Sequence, residues 1–222
     1  MRASLIALSV VALAAQHDVT ATAAGLASAD PSVRTKAACE LRELGSEAAP
    51  MTAKLLAMLD DASPVDPAVC GDRTWRFRGR QELTSPGEQA ASALVAIGSS
   101  TKPPLRRTLT APVWVARRNA AWALGALKDS EAVPALIDAL KDTDAGVREQ
   151  VAWALGAIGD RRAVDGLIGA LSDAAAGVRK QAAWALGALG DRRAVSALTR
   201  CLKDPDAGVR RQAAWALGAI GG

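Results

Sequence analysis

Aromatic side chains make up only 3% of this 222-residue chain: six Trp, one Phe and no Tyr. Half of the residues are nevertheless apolar, so the hydrophobic mass is Ala, Leu, Val and Ile. Strands favour β-branched and aromatic residues, and an Ala/Leu-rich chain this poor in rings points away from an all-β fold. Histidine is scarcer still. His17 is the only imidazole, which excludes a His-based metal cage and a Ser-His-Asp triad. Neither metal nor cofactor is expected. Charge of one sign is also lacking. A net charge of +4 is far from the dense positive field of a dedicated nucleic-acid binder, and no nucleic-acid partner is expected.

Long apolar runs are absent apart from one near the N-terminus. Met1 and Arg2 precede LIALSVVALAA, Leu5 to Ala15, an uncharged run too short for a bilayer span of about 20 residues. With the small residues around Ala12–Ala14 it has the form of a secretory signal. The alternative is a hydrophobic helix capping the domain C-terminal to it. The expected division is a signal peptide at 1–15, a linker at 16–30 and a repeat domain at 31–222. The expected localisation is periplasmic or secreted, with no integral membrane span.

What is present in abundance is repetition. Trp122, Trp153, Trp184 and Trp215 stand 31 residues apart, inside the strings RRNAAWALGALKD, VREQVAWALGAIGD, VRKQAAWALGALGD and VRRQAAWALGAIGG. Divergent copies put Cys39 and Ser92 at the Trp position, separated by one period plus 22 extra residues at about 62–84. A fixed period of this length marks a solenoid of stacked supersecondary units. Each unit reads as two helices. Val147, Val151, Ala154, Leu155 and Ile158 share one face of a helix over 145–158, closed by Gly159. Asp160 then caps a second helix with an apolar stripe of Ala163, Val164, Leu167, Ile168 and Leu171. Ser85-Pro86-Gly87-Glu88 is a capping box with Pro at the first helical position.

The turn Asp, the Val-Arg pair, the AA-x-AL core, the terminal Gly and the period recur together from about Asp30 to Gly222. The units resemble HEAT repeats in the short form known from bilin (phycobilisome) lyases. The resemblance implies an all-α, right-handed αα superhelix of the HEAT/armadillo kind, with about five to six 31-residue repeats: a leading helix, then five pairs. It also implies that the Val-Arg helices line the concave surface. Arg117, Arg148, Arg179 and Arg210 recur at one position and invite a reading as an anion-binding row; the resemblance implies instead that Asp142, Asp173 and Asp204, six residues before the last three, form with them a structural Asp-Arg row between turns. Such charge-assisted bonds hold register.

At 100° per residue Trp153 lies about 145° from the centre of its helix's apolar face. Trp122, Trp153, Trp184 and Trp215 then point away from the core beside Asn119, Gln150, Gln181 and Gln212. Either the rings seal the seam between turns over a neighbour's small residues, such as Gly156 and Ala157, or they line a groove that binds a protein or peptide. A half-buried Trp can do both. The insertion carries RTWRFRGR, with Arg73, Arg76, Arg78 and Arg80 interleaved with Trp75 and Phe77. It is a packed hairpin, a protein contact or a surface for polyanions or lipid headgroups. Cys39, expected to point outward, and Cys70 in the insertion are candidates for a disulfide in an oxidising compartment. Cys201 occupies the small packed position of Ala139 and Ala170 in sister repeats, which suits an inert core thiol.

These residues favour a non-enzymatic scaffold that binds a partner protein or peptide on its concave face. The alternatives are a bilin-lyase-like enzyme or chaperone, which bilin absorbance on mixing would reveal, and a terminal piece of a larger assembly. The last unit lacks the polar cap that repeat arrays usually carry. That suits either a homodimer through the C-terminal repeat or a chain shortened from a longer array.

Overall fold

A computed structural model describes residues 19–71 and 83–221. Residues 1–15, expected as a signal, lie outside the described residues. So do Arg73, Trp75, Arg76, Phe77, Arg78 and Arg80 of the insertion. Two compact units divide the chain, residues 1–101 and 102–222.

In the first unit, helix α1 (Pro31–Leu44) starts where Asp30 accepts a hydrogen bond from the Ser32 amide at 2.8 Å, with Pro31 at the first helical position. Helix α2 (Thr52–Ala57) is short. Helix α3 (Pro86–Ile97) opens with the expected cap, the Ser85 hydroxyl accepting from the Glu88 amide at 3.2 Å. Ala37, Ala38 and Leu41 of α1 and Ala90, Ala93 and Leu94 of α3 are buried. Residues 19–24 are helical and Gly25–Ala27 form a 3-10 turn, so much of the stretch expected as a linker at 16–30 is ordered. The reason is visible in its spacing: Val19, Ala23 and Leu26 follow i, i+4, i+7 and are all buried.

The insertion is tied down at two points among its described residues. Val65 and Thr84 pair antiparallel, exchanging N–H···O bonds of 2.8 and 2.9 Å. A 3-10 turn, Pro67–Cys70, then brings Cys70 to Cys39, and the two form a disulfide. Cys39 is 2% exposed, not outward as its register suggested. The turn bearing Cys70 lies over it, and the Gln89 amide oxygen is 3.4 Å from its sulfur.

The second unit is four helix pairs: α4 (Lys102–Thr108) with α5 (Trp114–Ala126), α6 (Val133–Ala139) with α7 (Ala145–Ile158), α8 (Val164–Ala170) with α9 (Ala176–Leu189), and α10 (Val195–Cys201) with α11 (Ala207–Gly221). With α1 and the pair α2 and α3, these are the leading helix and five pairs that the resemblance implies. Asp144 and Asp206 cap α7 and α11 by accepting from the amides of Val147 and Val209 at 3.0 and 2.9 Å. Gly159 ends α7 in the left-handed region at φ +82°; Lys128 holds the same position after α5 at φ +49°. The first helix of each of the last three pairs is only seven residues long, entered through a 3-10 turn, so Ile168 of the expected stripe is half-buried while Val164 and Leu167 are buried.

Long helices stack in series, α5 on α7 on α9 on α11, through small residues. A methyl group placed on Gly156 of α7 would meet the Trp184 ring at 2.7 Å and the Cα of Ala185 on α9 at 2.8 Å. Gly125 meets Trp153 and Ala154 in the same way, and Gly187 meets Trp215 and Ala216. Trp153, Trp184 and Trp215 therefore each lie on the glycine of the preceding repeat.

The Asp-Arg row is a ladder with a longer reach than the six-residue spacing suggests. Arg148 donates through Nη1 to the carbonyl of Asp142 at 2.8 Å, on its own turn. Its Nε and Nη2 grip the carboxylate of Asp173, 25 residues ahead, at 2.7 and 2.9 Å. Arg117 grips Asp142 at 2.6 and 2.8 Å, and Arg179 grips Asp204 at 2.8 Å twice. Each acid also accepts an amide from its own turn, as Asp173 does from Ala175. These bonds hold the carboxyls of Asp142, Asp173 and Asp204 below the ordinary carboxylate value, partly opposed by burial. A depressed native pKa contributes stability that is complete above the unfolded value, near 3.8, and lost as pH falls through the native value. Urea midpoints should be flat above about pH 5 and fall steeply below about pH 4. Asp173→Asn should lower the neutral-pH midpoint and shrink that acid limb, read by far-UV circular dichroism across pH.

Candidate functional site

The face formed by α5, α7 and α9 carries an open groove of about 470 Å³, lined by Arg118, Trp122, Gly146, Glu149, Gln150, Trp153 and Gln181. Repetition explains why these side chains converge. Trp122 and Trp153 hold equivalent positions, as do Gln150 and Gln181, and stacking the helices in register sets the like residues side by side. Trp122, Trp153 and Trp184 are half-buried, and Gln150, Gln181 and Gln212 are half-buried beside them. Trp215, which no following repeat covers among the described residues, is 48% exposed.

Both roles considered for the Trp row have a structural counterpart. Trp153, Trp184 and Trp215 press on the glycines of the preceding helices, while Trp122 and Trp153 also border the groove. Asn119, placed by its register in the amide row, is 4% exposed, buried rather than on the groove surface. Its side chain is one methylene shorter than Gln, and the Arg118 guanidinium lies against its oxygen at 3.4 Å. The same guanidinium sits 5.4 Å from the centre of the Trp114 ring, in cation–π range.

Arg118 and Glu149 flank Trp122 and Trp153 in the sequence register, whereas Trp114 has no signal in the repeat pattern. Trp114 takes the place of Ala145, Ala176 and Ala207 in sister repeats. It precedes Arg118 by four residues and Trp122 by eight, and that spacing puts all three on one face. Glu149 lies over Gly177 in the first turn of α9, whose cap position is Ala175 with no side-chain bond. Its carboxylate therefore stands at an uncapped helix start, where negative charge is favoured. Such a groove can stack aliphatic stems or planar groups on indoles, and its Gln amides can meet a peptide backbone. Cys201 has no part in it: the thiol is buried on α10, and burial pushes its pKa up, which suppresses the reactive thiolate.

Among the described residues no group of three or more His, Cys, Asp or Glu could hold a metal ion, and no helix is long and apolar enough to cross a membrane.

Helices stacked at a fixed period, with a ladder of ion pairs and a shallow lined groove, define an α-helical repeat solenoid. The model for HEAT repeats matches residues 101–183 and 164–222, and the chain belongs to the HEAT repeat family. No curated protein matches it. Several solved structures share the fold. The complex of CpcE and CpcF of phycocyanin lyase from Nostoc sp. is 31% identical over 90% of this chain and 76% of that one, with a TM-score of 0.56. A designed armadillo repeat protein in complex with the peptide (KR)4 is 20% identical over 90% and 98% of the two chains, with a TM-score of 0.57. Human deoxyhypusine hydroxylase is 20% identical over 95% and 98%, with a TM-score of 0.50. The solenoid fold is consistent with a protein-interaction scaffold, and proteins that share it include a lyase and a hydroxylase.

Proposed function

We propose that this protein is a non-enzymatic scaffold that holds a peptide segment of a partner protein in the groove between Trp122 and Trp153. The observation that carries the reading is the groove itself, about 470 Å³ with two indoles and two Gln amides on adjacent helices. Indoles supply apolar area at little entropic cost, and amides at repeat spacing suit the backbone groups of an extended chain. The designed armadillo protein, with the peptide (KR)4, supports peptide capture by a solenoid of this fold. The Cys39–Cys70 bond supports export, because such bonds persist in oxidising compartments such as the periplasm or outside the cell.

The test uses indole N–H resonances of the full chain titrated with a panel of decapeptides of varied charge and aromatic content. At least one peptide should shift the Trp122 and Trp153 signals, and Gln150→Ala with Gln181→Ala should weaken it about tenfold. Silence of both indoles across the panel, or an indifferent double variant, would reject the groove. Likeness to the phycocyanin lyase complex supports a second reading, a lyase-type protein or chaperone for bilins. A shifted bilin absorbance on mixing would favour it.

A further inference from the structure

The last three long helices carry the strings VREQ, VRKQ and VRRQ. The ladder Arg and the Gln are shared, and the residue between them changes in charge: Glu149 on α7, Lys180 on α9, Arg211 on α11. Glu149 lines the groove, and Lys180 is the chain neighbour of Gln181, which lines it too. Opposite charges at equal register on adjacent helices could pair, yet these two do not. Each leans forward onto the next helix. The Glu149 carboxylate lies over Gly177 at the start of α9, and the Lys180 Cδ stands 3.6 Å from a methyl placed on Gly208 at the start of α11. Neither side chain enters a hydrogen bond or an ion pair among the described residues. The acids around them are engaged. Asp144 and Asp206 accept from the amides of Val147 and Val209, and Asp142, Asp173 and Asp204 are held by the ladder. Arg211 adds positive charge beside Lys180, its Nη2 standing 4.0 Å from the same methyl on Gly208.

We infer, on the reading of this groove as a peptide site, that the segment it holds carries a basic and an acidic side chain two residues apart, the basic one over Glu149 and the acidic one over Lys180. Charge complementarity sets the signs. The spacing follows from the two periods involved. Packed helices lie about 8–10 Å apart, and an extended chain puts side chains on one side about every 6.6–6.8 Å. Long side chains such as Lys and Glu two residues apart then reach both charges. A uniformly basic segment would meet Lys180 and Arg211, and a uniformly acidic one would meet Glu149, so like charges oppose both.

The probes are four labelled decapeptides with one Leu/Ser frame, differing only at two positions two apart: Lys and Glu, Lys and Lys, Glu and Glu, or Gln and Gln. Fluorescence anisotropy of the full chain should rank the Lys and Glu peptide first, about threefold to tenfold above each same-sign peptide at low salt. The preference should collapse in 1 M NaCl. Lys180→Glu should make the Lys and Lys peptide the tightest, and Glu149→Lys the Glu and Glu peptide. Circular dichroism checks that each variant stays helical. Glu149→Gln is the milder exchange at the start of α9, and should remove the preference for Lys over Gln at the first position alone. A wild-type order led by a same-sign peptide, or an order that none of these substitutions changes, would overturn the inference. Equal binding of all four with shifted Trp122 and Trp153 indoles would overturn it and leave the groove standing. Silence of both indoles with all four would overturn the groove reading as well.

Discussion

Breaking the Cys39–Cys70 bond is expected to cost the first unit about 3–4 kcal/mol. The sulfurs close a loop between residues 31 apart in sequence. In the chain-entropy model, cross-linking a loop of that size removes this much freedom from the unfolded ensemble. The folded state has reason to miss the bond as well. Cys39 lies in the core of α1, and the turn Pro67–Cys70 covers it with few buried residues of its own; none of its four is fully buried. Without the bond, the hydrogen bonds that remain near that turn among the described residues are the Val65–Thr84 pairing and the cap at Asp66. Urea unfolding of Cys39→Ala with Cys70→Ser should therefore show a midpoint well below that of the native chain. Reductant should shift the native chain by a similar amount and leave the variant unmoved. A native chain indifferent to reductant would mean that the bond contributes nothing. Intact mass under non-reducing conditions gives an independent check, with one thiol, Cys201, open to alkylation after unfolding.

The repeat, its caps and its two-helix unit were legible because each rests on local spacing. Gly159, Asp160 and Ser85 do what their types do at helix ends, and Trp at period 31 announces stacked equivalents. What escaped notice depends on which neighbour a repeat meets. Asp142 and Arg148 stand six apart in the sequence, yet the carboxylate that Arg148 holds is Asp173. Periodicity reports that positions are equivalent, and it is silent on whether a side chain turns to its own turn or the next. Asn119 shares the register of Gln150 but is a methylene short and lies under Arg118, a difference of reach that register does not encode. Cys39 took the outward Trp position by the same logic. It became core because an insertion from outside the period folded over it. Val19, Ala23 and Leu26 show the opposite case, a helical pattern within a short polar-looking stretch that was legible but too brief to weigh.

Replacing Gly156 by Ala should destabilise the second unit by up to about 2 kcal/mol, although Ala is the better helix former. Helix propensity alone favours Ala by about 1 kcal/mol. Against that, the new methyl would stand 2.8 Å from both the Cα and the Cβ of Ala185, and 2.7 Å from the Trp184 ring. A ring can tilt away, but a Cα moves only if α9 moves with it, and overpacking of this kind costs about 1–3 kcal/mol. Gly125→Ala and Gly187→Ala meet the same obstacle at 2.8 Å, so the losses should add in the triple variant, to up to about 6 kcal/mol, if the seams act separately. Gly218→Ala is the internal control. It changes the equivalent residue of α11 where no atom stands within 4 Å, so only propensity acts and the variant should gain up to about 1 kcal/mol. Opposite signs at equivalent positions, measured by urea unfolding, are what close helix stacking demands. Equal signs would show that α7 and α9 are not held at the distance described. The same displacement reaches the groove, because the Trp153 ring that borders it rests on Gly125. Gly125→Ala should therefore weaken a peptide that shifts the Trp153 indole, while Gly218→Ala leaves it unchanged.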